Sequence, residues 1–181
     1  MRKIGLPIVM ACTLALVPTI ASANVVDDLS KMKAAFAAAK SWHATEQFSN
    51  GRTVTVDHVA PDRWRIQPAP NVTELLIGDT VYMVRNGKTT RVPIPGGMLR
   101  KTIDSFYAAG PDDEIKQSAR DLGMQSIDGQ TLHAYSFTTH GTPVTMYVGS
   151  DMLPVVSVVK DPKVTTTITY SDFNTPIDIS P

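Results

Sequence analysis

Thiols are nearly absent from this 181-residue sequence: its single cysteine, Cys12, sits inside an apolar N-terminal stretch. Without that stretch the chain can form no disulfide, holds no thiolate metal site and has no cysteine nucleophile. An excess of one charge is missing as well, with 17 basic residues against 17 acidic ones. The charges read as interspersed, with no basic block, so nothing argues for nucleic acid or for an anionic membrane face. Motifs of covalent and nucleotide chemistry are absent too: no Gly-x-Ser-x-Gly elbow, His-Glu-x-x-His pair, P-loop or dinucleotide fingerprint occurs. The four histidines, His43, His58, His133 and His140, each stand alone in a strand or turn and read as residues of a solvated face. Neither a metal nor a cofactor is expected from them. No second domain, low-complexity segment or solenoid repeat is visible.

What is present starts with an export signal. Arg2 and Lys3 precede an apolar stretch from Ile4 to Ile20, and Ala21-Ser22-Ala23 closes it in small-x-small form. These are the three parts of a secretory signal, with cleavage expected after Ala23. The stretch is short and broken by Pro7 and Pro18, which suits a membrane span poorly. Val9-Met10-Ala11-Cys12 loosely resembles a lipobox, but methionine fits that box badly, and cutting there would leave the greasy segment from Thr13 to Ala23. The expectation is therefore an exported, periplasmic chain, not one anchored at Cys12. Residues 24–181 form one domain with 15 basic and 17 acidic residues, large enough to bury roughly 70% of its unfolded surface.

Within that domain Val25, Leu29, Met32, Phe36 and Ala39 recur at three- and four-residue steps, which predicts an amphipathic helix over 24–40, with Asn24 as its N-cap once cleavage exposes it. From Trp42 the period changes to two. Runs near 42–48, 53–56, 63–66, 73–77, 80–85 and 88–94, separated by turn signals such as Asn50-Gly51 and Asn86-Gly87, predict six consecutive strands. Met98, Leu99, Ile103, Phe106 and Tyr107 then return to helical spacing, and Asp112-Asp113-Glu114 opens a second helical stretch to about Leu122. Strand patterns resume at 124–127, 132–139, 143–148, 155–159 and 164–170. About eleven strands joined by hairpins make a mainly β, up-and-down antiparallel sheet. Glu46 and Glu74 fall in phase with apolar neighbours; because carboxylates are seldom fully buried, the alternation is read as bending there, so that both face water.

The second half carries a resemblance. Gly123 to Phe137, Met146-Tyr147-Val148, Leu153-Pro154-Val155 and the closing run from Thr169 to Ile179, with its Tyr-Ser-Asp-Phe-Asn sequence, resemble in order the superfamily of lipoprotein-sorting proteins LolA and LolB and the lipid-binding lipoproteins of the LppX and LprG type. Pro61-Asp62-Arg63-Trp64 and Ile77-Gly78-Asp79-Thr80-Val81-Tyr82 match the first half of that pattern. The resemblance implies an open, strongly curved antiparallel half-barrel of about eleven strands, with helices covering the concave face and a final short apolar strand. It also implies a carrier that shields acyl chains of a lipid or lipoprotein, received from an inner-membrane donor and passed to an outer-membrane acceptor, without catalysis. On that reading the 24–40 helix and the stretch from Met98 to Tyr107 form the lid. The cavity would be lined by Val54, Val56, Trp64, Ile66, Met83, Val144, Met146 and Val148 from the strands. Phe36, Met98, Leu99, Ile103 and Phe106 would contribute from the lid. The superfamily's lid is held by an arginine of an early strand, for which Arg52, Arg63 and Arg65 compete. Sensing domains share this superfamily, so a non-enzymatic envelope sensor or interaction domain is the alternative.

Overall fold

The computed structural model describes residues 22–107 and 113–181, with side chains from residue 25 and excluding those of 102–107. Residues 1–21 of the expected signal, Cys12 included, and the side chains of Ile103 and Phe106 lie outside the described residues. The chain folds as one eleven-stranded antiparallel sheet that does not close into a barrel. Its strands are β1 (Ser41–Phe48), β2 (Thr53–Val59), β3 (Arg63–Ala69), β4 (Val72–Ile77), β5 (Thr80–Arg85), β6 (Lys88–Val92), β7 (Arg120–Ile127), β8 (Gln130–Thr139), β9 (Thr142–Val148), β10 (Pro154–Lys160) and β11 (Thr165–Ser171). Among the described residues three helices accompany them: α1 (Ser22–Ala38), α2 (Gly96–Tyr107) and α3 (Asp113–Ser118). No helix among the described residues is long and apolar enough to cross a membrane.

The strand order is β6-β5-β4-β3-β2-β1-β11-β10-β9-β8-β7. Two meanders, β1 to β6 and β7 to β11, are thus joined at the β1–β11 ladder, where Ala44 faces Tyr170 and Glu46 faces Ile168. In a closed barrel β6 would pair with β7; here they are the two edges, and the segment carrying α2 and α3 leads from one to the other. Tight turns fix the register of each meander. Asn86 (φ 51°) and Gly87 (φ 75°) both adopt the left-handed conformation that a two-residue hairpin between β5 and β6 requires.

Several boundaries depart from the sequence pattern. Helix α1 begins at Ser22, so Asn24 lies inside it, with Ser22 and Ala23 preceding that residue. Strand β7 begins at Arg120, not Met124: the polar helix ends at Ser118, and Arg120 and Asp121 already pair with Ser136 and Tyr135. The expected final strand does not form either. Residues 172–181 run without strand pairing, yet Ile179 is 1% exposed.

Candidate binding groove

Direct pairing settles which side chains share a face, because residues opposite each other in a ladder point the same way. Val56 pairs with Ile66, Ile66 with Glu74 and Glu74 with Met83. Trp42 pairs with His58, and His58 with Trp64. Beyond the β1–β11 ladder the same face continues through Ile168, Ser157, Met146 and Tyr135, and Val159 pairs with Val144. The eight strand residues expected to line a cavity therefore belong to one face of the sheet. All three helices pack on that face.

Helix α1 crosses it from one half to the other. Its Val25, Leu29 and Met32 pack with Tyr135 and Val148 of the second meander and with Ile115 and Ala119 at α3. One turn later Phe36, with Ala39, packs on Trp42, Trp64 and Ile168 of the first meander. An aromatic cluster anchors this end: the Trp42 ring lies 5.2 Å from Phe36, 5.4 Å from Trp64 and 6.2 Å from Tyr170. At the other end the Tyr135 hydroxyl donates to Asp28 Oδ2 of α1 at 3.2 Å. Of the expected lining residues, Val54, Val56, Trp64, Val144 and Val148 are buried, and Phe36, Ile66, Met83, Leu99 and Met146 are half-buried. Met98 is 67% exposed, one position from Leu99, which packs against the core.

The groove floor is not wholly apolar. Glu46 is 8% exposed and Ser157 2%, both on the helix-covered face beside Tyr170. The expectation that Glu46 and Glu74 face water is thus corrected: strict alternation continues through both positions, and neighbouring ladders fix their side. Glu74, between Ile66 and Met83, is half-buried on the same face. The histidine expectation changes too. His58 lies in the aromatic cluster, 4.2 Å from Trp64 and 5.5 Å from Trp42, not on a wet face. Among the described residues no group of acidic, histidine or cysteine side chains could hold a metal.

Two phenols on this face titrate late. Burial, reinforced by the Glu46 carboxylate, pushes Tyr170 up to about 12. Burial and Asp28 do the same for Tyr135. An unfolded chain releases these protons near pH 10, before the folded one does, so stability is intact below that pH and falls as pH rises towards 12. Tyr170 alone should contribute a loss of up to ~1.4 kcal/mol per pH unit in that window. Urea titrations of wild type and Tyr170→Phe between pH 9 and about 12 test this; parallel curves would refute the assignment.

None of the three early-strand arginines contacts a helix in the described geometry. The Arg52 guanidinium lies 5.2 Å over the Phe48 ring. Arg63 and Arg65 are on the opposite face, donating from Nη1 to the carbonyls of Ile179 (3.2 Å) and Asp178 (3.0 Å). The arginine joining helix to sheet is instead Arg100 of α2, whose Nη2 donates to the Gly78 carbonyl at 2.7 Å, near Asp62 and Asp79. Gly96 makes this contact possible: a Cβ there would lie 2.6 Å from the Asp79 backbone. Nothing in the spacing of Arg100 distinguishes it from a surface residue, so sequence reasoning missed it.

A separate, open depression of about 640 Å³ lies at the far end of β2 and β3, lined by Arg52, Thr53, Thr55, Gln67 and Asn71 among others. Thr55 and Gln67 hydrogen-bond to each other at 2.9 Å across it. Thr55 and Gln67 are out of phase with Val56 and Ile66, which sets it apart from the helix-covered face.

The architecture has solved counterparts. LprF from Mycobacterium bovis matches with a TM-score of 0.62 at 16% identity, covering 88% of this chain and 97% of that one. The Mycobacterium tuberculosis lipoprotein LppX matches with a TM-score of 0.65 at 12% identity, covering 88% of this chain and all of the other. No family model and no curated protein matches the sequence. The chain shares the fold of these two proteins, the LppX-type half-barrel expected from its motifs.

Proposed function

We propose that this protein is a periplasmic carrier or binding protein that shelters the acyl chains of a lipid or lipoprotein beneath α1 and α2, without covalent chemistry. The observation that carries this reading is the cover of the apolar face. In a sandwich a second sheet would seal such a face along its length. Here three helices do so, and α1 bridges two separate clusters, Val25 to Met32 on one and Phe36 to Ala39 on the other. A helical cover can shift as a rod while the ladders beneath stay intact. Burying an acyl chain in the space it uncovers gains ~0.8 kcal/mol per methylene, enough for reversible carriage.

The lining proposed is the face already traced: Val54, Val56, Trp64, Ile66, Met83, Val144, Met146 and Val148 below, Phe36 and Leu99 above. The Glu46 and Tyr170 side chains would lie beneath the cargo's more polar end. Donor and acceptor membranes on either side of the periplasm are part of the same proposal.

Native mass spectrometry of the protein purified from the periplasm, with solvent extraction in parallel, is the test. A co-purifying lipid or acylated peptide is expected, displaced by excess fatty acid. Repeated recovery of empty protein that also ignores fluorescent fatty acids would sink the carrier reading.

A further inference from the structure

One region departs from the even mixture of charge seen elsewhere. Between Asp79 and Asp104 the chain contains no acidic residue but five basic ones, Arg85, Lys88, Arg91, Arg100 and Lys101. All 17 acidic residues lie outside this segment, where only ten of the domain's 15 basic ones remain. The expectation of interspersed charge with no basic block is therefore corrected here. The five occupy the end of β5, the edge strand β6 and the first turns of α2, with Arg85 and Lys88 on the Met83 side of the edge and Arg91, opposite Tyr82, on its other side. Arg85, Lys88, Arg91 and Lys101 are exposed, and Lys88 pairs directly with Arg85 across the hairpin. The fifth, Arg100, faces nearby acids, Asp62 and Asp79.

Two large apolar side chains stand in the same segment. Ile94 is 49% exposed and Met98 67% exposed. Basic residues on an edge strand by themselves have a bland explanation, protection against edge-to-edge pairing. That explanation does not cover the apolar pair, which makes an edge more adhesive, not less. Their support is tied to the sheet: Gly96 packs against the Asp79 backbone, its N–H donates to the Asp79 carbonyl at 3.3 Å, and Arg100 bonds to Gly78. Exposed apolar residues held to the sheet beside exposed cations are what an interface with anionic headgroups needs.

We propose that the β6 edge, the Pro93–Pro95 turn and the outer side of the α2 start form a docking surface for an anionic phospholipid membrane. Ile94 and Met98 enter the interfacial layer, and Arg85, Lys88, Arg91 and Lys101 meet the headgroup phosphates. A protein partner would have to supply both an acidic stripe and an apolar notch; a phospholipid leaflet offers both everywhere. Docking here brings α2, part of the groove's cover, against the membrane. The surface itself does not depend on the groove being loaded.

Co-sedimentation with phosphatidylcholine vesicles, with and without phosphatidylglycerol, tests the proposal. Binding is expected only to the anionic vesicles and should weaken as salt rises. The combined variant Arg85→Gln, Lys88→Gln, Arg91→Gln and Lys101→Gln should lose at least about tenfold in partitioning. These residues are exposed, so its thermal midpoint should match wild type, which separates lost docking from lost folding. In Met98→Trp, added anionic vesicles should shift the new tryptophan's emission to the blue. Equal binding to neutral vesicles, no vesicle binding at all, or full retention by the quadruple variant would overturn the proposal, as would binding to an acidic protein alone. Lipid co-purification is a separate readout, so failure of the carrier reading and failure of this one remain distinguishable.

Discussion

Replacing Trp42 with alanine is expected to cost roughly 3–5 kcal/mol, a large share of the ~5–15 kcal/mol that holds a domain of this size together. Trp42 is 1% exposed and occupies the point where β1, the adjoining β2 and β3 side chains, β11 and α1 converge. Its ring meets Phe36, His58, Trp64 and Tyr170 at centroid distances of 5.2 to 6.2 Å. No single neighbour can move into the space, since each is fixed on a different element. The loss therefore includes the transfer of the indole and an unfilled cavity. Phe36 loses its partner as well, so the C-terminal end of α1 should loosen before the sheet melts. A urea titration reads the first effect as a lower midpoint with unchanged slope; hydrogen exchange along α1 reads the second. A loss below about 1 kcal/mol would show that the cluster relaxes around the gap.

Asp57→Ala should be nearly as damaging, for an electrostatic reason. Its side chain is 8% exposed on the face opposite the groove, between His43 and Arg65 on the neighbouring strands. One oxygen pairs with His43 Nδ1 at 2.7 Å, and the other accepts from Arg65 Nε at 2.7 Å. Register places the three side by side, 43 opposite 57 and 57 opposite 65. Breaking a buried pair by deleting one partner costs about 3–5 kcal/mol. Arg65 is 34% exposed, so solvent screens it and the lower end, about 3 kcal/mol, is expected. Arg65 also holds the Asp178 carbonyl, so the variant should free the tail around Ile179. Faster amide exchange and carboxypeptidase trimming over residues 174–179 would report this; a tail as protected as in wild type would count against the link.

These two residues also mark what was legible in the sequence. Trp42 could be placed because period-two alternation announces β1, and pairing then forces its face. Turn chemistry did similar work at Asn50-Gly51 and Asn86-Gly87, where the required backbone conformation has few other suppliers. Asp57 was invisible: a carboxylate in a strand looks solvated until the arginine and histidine beside it are known. Glu46 misled for the same reason, since the alternation placed it inside and its charge argued it out. The start of β7 failed at Arg120 and Asp121, whose polarity extends the helical pattern on paper while their pairing with β8 ends it in the fold. Arg100 had no distinguishing signal, and the strand and helix patterns that included Ile94 and Met98 did not show their exposure. They arise from where the chain returns after β6, which only the tertiary structure decides.

The β1–β11 ladder sets an order of events. Every other strand pairing joins neighbours in the chain and can form as soon as a hairpin has been made. Ala44 must wait for Tyr170, the longest loop closure in the sheet. A chain emerging from its N-terminus therefore holds a finished meander, β1 to β6, with the inner edge of β1 unpaired until the last strand arrives. During that interval β1 presents Trp42, Ala44 and Phe48 on a bare edge, the state most open to pairing with another chain. Whatever attends this protein early in its life has most reason to meet it there.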